Sequence, residues 1–110
     1  MKVYLSGPMT GIADHNFPAF EAAREQLRRE GFEVLCPAEA GKVDGWSWEE
    51  YLTRDLRMVL DAHAVIVLPG WENSRGARLE VHVARELGLP VINLADASDF
   101  MAAVKRVRAA

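Results

Sequence analysis

The sequence predicts a three-layer, doubly wound α/β fold on a four-stranded parallel sheet, and three observations predict it. Four short apolar runs alternate strictly with four stretches of helical periodicity. The third run, Val65-Ile66-Val67-Leu68, has no polar position on either face, as a central strand covered on both sides requires. Finally, 110 residues, 50% of them hydrophobic and 26% charged, supply one core and the surface to keep it in solution. Residues 1–110 are therefore expected to form a single domain.

The strands are expected at Lys2–Ser6, Phe32–Leu35, His63–Leu68 and Pro90–Leu94. Helices are expected near Asn16–Glu30, Trp48–Asp61, Ser74–Leu87 and Ser98–Val107. Each has a start signal, respectively Asn16 ahead of Phe17-Pro18, Ser47, Ser74 and Ser98, because a side-chain oxygen there can accept from a free first-turn amide. Gly31 and Gly88 mark two of the stops. The stretch Pro37–Trp46 contains two glycines and no periodicity, and reads as a loop of a length that is more often functional than merely connecting. Right-handed crossovers favour the order 2-1-3-4, the arrangement of flavodoxin- or Rossmann-like sheets. Ligands of such sheets bind beyond the carboxyl ends of the strands where the order reverses. That rule sets Ser6–His15 opposite Pro69–Ser74.

Two carboxylates interrupt the helical patterns beside this point. Glu80 has Gly76 four residues before it, Val83 and Ala84 three and four after, and Leu87 seven after, which places it on an apolar stripe. The alternative stripe is Leu79, Val83 and Leu87, with Glu80 at its margin reaching solvent. Asp55 has Tyr51 and Leu52 before it and Met58 and Val59 after it at the same spacing, and its bland reading is a margin residue paired with a neighbouring arginine. If both carboxylates turn inward they meet over the carboxyl end of the third strand. Unlike environments would then let them divide acid and nucleophile roles.

The turn Ser6-Gly7-Pro8-Met9-Thr10-Gly11 follows the first strand directly, as phosphate- or sugar-binding turns do, but it is neither GxGxxG nor a P-loop. Opposite it, Gly70 precedes Ser74-Arg75-Gly76-Ala77, a helix opening where amides, a hydroxyl and a guanidinium can converge on an anion. Gly76, one turn before Glu80, leaves a gap that a ligand can enter. Tyr4 needs a partner for its hydroxyl if buried, and Glu80 is a candidate. Trp46, Trp48 and Trp71 stand in or beside loops, equally suited to stacking on a base or plugging a core edge. His82, two residues past Glu80, faces elsewhere, and His15 belongs to a loop.

Taken in order, Val3-Tyr4-Leu5-Ser6-Gly7-Pro8, Arg54-Asp55-Leu56 and Ser74-Arg75-Gly76-Ala77-Arg78-Leu79-Glu80 resemble the signature of the nucleoside 2-deoxyribosyltransferase superfamily. The likeness runs nearly end to end and is strongest to short bacterial and phage members with no assigned activity. It implies Glu80 as the nucleophile toward the anomeric carbon of a (deoxy)ribosyl unit, Tyr4 as its orienting group and Asp55 in proton transfer to the departing base. It also implies a substrate pocket around Ser6, Gly7, Pro8, Met9, Gly70, Ser74, Arg75 and Gly76. Ser74 stands where the transferases proper tend to have Asp. In this the chain is similar to the branch that hydrolyses 2'-deoxynucleoside 5'-monophosphates, which points to a nucleotide rather than a nucleoside. The expected activity is an N-glycosidase or deoxyribosyl-transferring one. Its rival is a non-catalytic nucleotide-binding module on the same fold.

Composition narrows the partners. Thirteen Lys and Arg against sixteen Asp and Glu give a net charge of -3 with scattered basic residues, so nucleic acid is not an expected partner. The lone Cys36 permits no disulfide, no Cys-based metal cluster is possible, and the three histidines lie far apart, so neither metal nor cofactor is expected. The longest apolar run, Ala62 to Pro69, cannot span a bilayer, and Met1 leads into Ser6-Gly7-Pro8 with no secretory apolar segment. The expectation is a cytoplasmic homodimer or higher homo-oligomer acting on a small nucleotide or nucleoside.

Overall fold

The computed structural model describes residues 1–109. Strands β1 (Lys2–Ser6), β2 (Glu33–Leu35), β3 (Ala64–Val67) and β4 (Val91–Asn93) form one parallel sheet in the order β2-β1-β3-β4. Helices α1 (Phe17–Arg29), α2 (Pro37–Ala40), α3 (Trp48–Asp61), α4 (Arg75–Glu86) and α5 (Ala97–Ala109) connect and cover it.

The two-residue period of the strands sorts the core into two layers. Val3 and Leu5 of β1 and Ala64 and Ile66 of β3 pack with Phe20, Ala23 and Leu27 of α1 and with Ala97 and Met101 of α5. On the opposite face Tyr4, Val65 and Val67 meet Val59 of α3 and Val81 and Ala84 of α4. All four residues of β3 are buried, which is why that run carries no polar position.

Helix ends follow the start and stop signals in part. Ser47 forms a full capping box with Glu50, and Ser74 Oγ accepts from the Ala77 amide at 3.2 Å. After α1, Gly31 takes φ +100° while its own amide and that of Phe32 return to Arg28 and Leu27. After α4, Gly88 at φ +75° lets its amide and that of Leu89 return to Arg85 and Ala84. Both are Schellman closures, which need a left-handed residue at that point.

Three local expectations change. Asn16 does not cap α1. It closes a tight turn, Ala13–Asn16, in which Asp14, His15 and Asn16 all have positive φ, and its amide nitrogen donates instead to the Pro8 carbonyl at 3.0 Å. Ser98 lies inside α5, which starts at Ala97 after a turn over Leu94–Asp96, and its hydroxyl donates to Glu30 at 2.6 Å. The Pro37–Trp46 stretch opens with one helical turn, α2, whose proline needs no amide acceptor at a helix start.

Candidate active site

Sheet order reverses between β1 and β3, and the segments leaving these two strands pack together. The Leu68 amide donates to the Ser6 carbonyl at 2.8 Å. Gly7 sits so near that a Cβ on it would lie 2.8 Å from Cβ of Leu68, so no other residue fits without moving the strand end. Gly70, at φ +85°, lies against the Pro8 ring. Beyond this junction opens a cleft of about 980 Å³, walled by the turn after β1, the start of α4, one face of α3 and the rim from Pro37 to Lys42.

Glu80 lies in the cleft wall, only 6% exposed. The buried stripe of α4 is Ala77, Glu80, Val81 and Ala84, whereas Leu79 and Leu87 are exposed, so the carboxylate is an inward residue of its helix. Period two along β1 sends Ser6 to the same face as Tyr4, and Ser6 Oγ donates to Glu80 Oε1 at 2.8 Å. Ser6 is fully buried and stands behind the cleft wall, holding Glu80, while Gly7, Pro8 and Met9 after it do line the cleft. Burial pushes the Glu80 pKa up to about 7, the Ser6 hydrogen bond opposes this, and the Asp55 charge adds to it.

Tyr4 is fully buried, and its hydroxyl lies beside the Glu80 carboxylate, whose ionised form it favours. It lies close enough to Glu80 for the carboxylate charge to reinforce burial in raising its pKa well above the ordinary value.

Asp55 faces the cleft from α3 and also accepts from Arg54 Nε at 3.1 Å. Burial raises its pKa, and the guanidinium works in the opposite direction. The two carboxylates thus share one cleft, and the pairing with a neighbouring arginine is present as well.

At the start of α4, Gly70, Ser74, Arg75 and Gly76 all line the cleft. Ser74 is occupied as the helix cap, but the Arg75 and Gly76 amides open the helix and have no intrahelical acceptor. A Cβ on Gly76 would meet nothing within 4 Å, so this side of the helix faces open space. The Arg75 guanidinium rests 4.0 Å from the ring centre of Trp48 and forms no ion pair among the described residues.

Arg54, Tyr51, Trp48, Lys42 and His15 also line the cleft, and none of them carries a definite site role in the sequence reading. Arg54 was hidden by its adjacency to Asp55, since neighbours along a helix point different ways and only a long side chain can fold back. Trp46 packs edge-on against Tyr51 at 5.3 Å, and Trp71 packs on the α3/α4 side of the core. His82 is exposed. Among the described residues no group of three His, Cys, Asp or Glu is placed to hold a metal, and no helix is long and apolar enough to cross a membrane.

Two solved structures share this architecture. A 2-deoxyribosyltransferase from the psychrotolerant bacterium Bacillus psychrosaccharolyticus superposes with a TM-score of 0.67 and 23% identity over 84% of this chain and 71% of that one. A conserved protein from Enterococcus faecalis V583 superposes with a TM-score of 0.69 and 24% identity over 84% of this chain and 62% of that one. Likeness at these identities establishes the flavodoxin-like fold. No curated protein is significantly similar in sequence. Residues 1–93, from β1 through β4, match one family along their whole length, and the chain belongs to that family, described as a domain of unknown function (DUF4406).

Proposed function

We propose that residues 1–110 act as one catalytic domain that cleaves the bond between nucleobase and sugar in a nucleoside 5'-monophosphate, by hydrolysis or by transfer of the deoxyribosyl group. The observation that carries this reading is Glu80, a nearly buried carboxylate in a cleft wall, with one oxygen held by Ser6. Its free oxygen attacks C1' of the sugar, the C1'–N bond breaks, and its electron pair leaves with the base, which takes a proton from Asp55. Water or a second base then attacks C1', returning its proton to Asp55 and freeing the Glu80 carboxylate. With its pKa raised to about 7, Glu80 exchanges between neutral and ionised forms near neutral pH. The cationic character that develops on the sugar favours the ionised form as the transition state is reached.

The 5'-phosphate is assigned to the start of α4, where two free amides and an Arg75 without an ionic partner among the described residues supply donors and positive potential. Tyr4 orients Glu80 once the sugar is in place. The working form is a two-fold homo-oligomer. These same anion-binding features would serve a nucleotide-binding module equally well, so product analysis decides between the readings. Incubation with each deoxynucleoside 5'-monophosphate should release free base, and release should stop in Glu80→Gln. Saturable nucleotide binding with no base released from any substrate would favour the binding module.

A further inference from the structure

The Arg54 side chain is engaged on several sides at once. Its Nε donates to Asp55 Oδ1 at 3.1 Å, one terminal nitrogen donates to the Gly41 carbonyl at 2.6 Å, and the other to the Pro37 carbonyl at 3.4 Å. Its guanidinium also lies over the rings of Trp46 and Tyr51, at 5.6 and 5.3 Å from their centres. One helical turn earlier, the Tyr51 hydroxyl accepts from the Val43 amide at 2.8 Å and donates to the Val43 carbonyl at 2.9 Å. Pro37, Gly41 and Lys42 form the cleft rim on this side, and Arg54 binds that rim, and Tyr51 the Val43 that follows it, to α3 through the backbone. A sequence-independent backbone grip of this kind fixes where the rim sits. Of the two, Arg54 also hydrogen-bonds to Asp55.

We propose that Arg54 is a positioning residue that locks the Pro37–Gly41 rim and the Asp55 carboxyl into one unit, so that seating of the rim and protonation of Asp55 are coupled. This rests on the reading of Asp55 as the proton donor to the departing base. With the rim seated, the guanidinium fork holds Oδ1 and leaves the other carboxylate oxygen for the base. When the rim lifts, the fork loses its two carbonyl acceptors and its hold on Asp55 weakens. Coupling is reciprocal, so a neutral Asp55 must loosen the rim by the same factor that a loosened rim raises its affinity for a proton. The other charged or titratable groups facing Asp55 are Glu80 from α4 and Tyr4 from β1, with Lys42, His15 and Arg75 in the same cleft. Glu80 and Tyr4 act on Asp55 whatever the rim does. Among the described residues, Arg54 is the side chain that hydrogen-bonds to both Asp55 and the rim. A lysine cannot replace it, since one ammonium lacks the planar fork that reaches a carboxylate and two carbonyls together.

The test uses the full chain and does not depend on turnover. Titration of the Asp55 side-chain carboxyl by carbon-detected NMR should show its midpoint higher by about one pH unit in Arg54→Gln. Amide hydrogen exchange at Glu39, Ala40 and Gly41, whose amides bond back to the Cys36 and Pro37 carbonyls, should speed up by roughly tenfold at fixed pH in that variant. Asp55→Asn, which leaves the guanidinium in place and mimics a permanently neutral partner, should speed exchange in the same segment. If Arg54→Gln loosens the rim but leaves the Asp55 midpoint unmoved, or if Asp55→Asn leaves rim exchange unchanged, the coupling is refuted. Should Arg54→Gln fail to fold, Asp55→Asn and Arg54→Lys decide it, the latter being expected to loosen the rim despite keeping its charge. A chain that releases no base from any nucleotide would overturn the proposed activity, while the NMR and exchange results would still decide the role of Arg54.

Discussion

The hydroxyl of Ser6 donates a 2.8 Å hydrogen bond to Oε1 of Glu80, joining the last residue of β1 to the middle of α4 across 74 positions of sequence. Both partners are buried, so the bond is made where water does not compete, and hydrogen bonds to a charged acceptor contribute roughly 1.5–3 kcal/mol. It favours the ionised carboxylate against the burial that disfavours it. Ser6→Ala should therefore raise the Glu80 pKa above its value of about 7. The acid limb of kcat/KM against pH should move to higher pH, with KM little changed. An unmoved limb would remove Ser6 from the control of Glu80.

Glu80→Gln should abolish base release while nucleotides still bind, because an amide keeps the volume and the Ser6 acceptor but cannot form the glycosyl ester. It should also stabilise the protein at alkaline pH. With a folded-state pKa raised from 4.5 to about 7, Glu80 contributes stability that is fully present below about 4.5 and is lost as the pH rises through 7. The loss amounts to about 3 kcal/mol by pH 8 and above. Denaturant unfolding at pH 5 and pH 8.5 checks this, since the parent should lose stability between the two and Glu80→Gln should lose much less.

For Asp55→Asn the expected loss of turnover is on the order of 10²–10⁴-fold, the range of a general acid–base group. It should be smallest for substrates whose base departs readily without a proton. Rates across a series of leaving bases check this, and a uniform loss for all bases would assign Asp55 to binding rather than proton transfer.

Arg75→Ala should weaken binding of nucleoside 5'-monophosphates and leave that of the parent nucleosides nearly unchanged. Raising the salt concentration should produce the same selective effect, since the contact is charged and near the surface. Calorimetric titration of matched nucleoside and nucleotide pairs measures it. Equal affinity for both in the parent protein would move the phosphate away from the start of α4.

Alternation of apolar runs with helical periods was enough to determine the sheet, its order and its two core layers, because burial on two faces leaves few arrangements for four short strands. The anomalies at Glu80 and Asp55 were legible for the same reason, as carboxylates on apolar stripes. Sequence left open whether Glu80 or Leu79 faced inward, since two stripes on one helix differ by a single residue. Packing against β1 and β3 decided it, by placing small Ala77 and Ala84 beside Glu80 and leaving Leu79 and Leu87 outside. Ser6 as the holder of Glu80, Arg54 as the clasp of the rim, and Arg75 on the face of Trp48 were decided only by tertiary structure. Each joins segments distant in sequence, and no local periodicity encodes which side chains meet once a sheet brings its loops to one end.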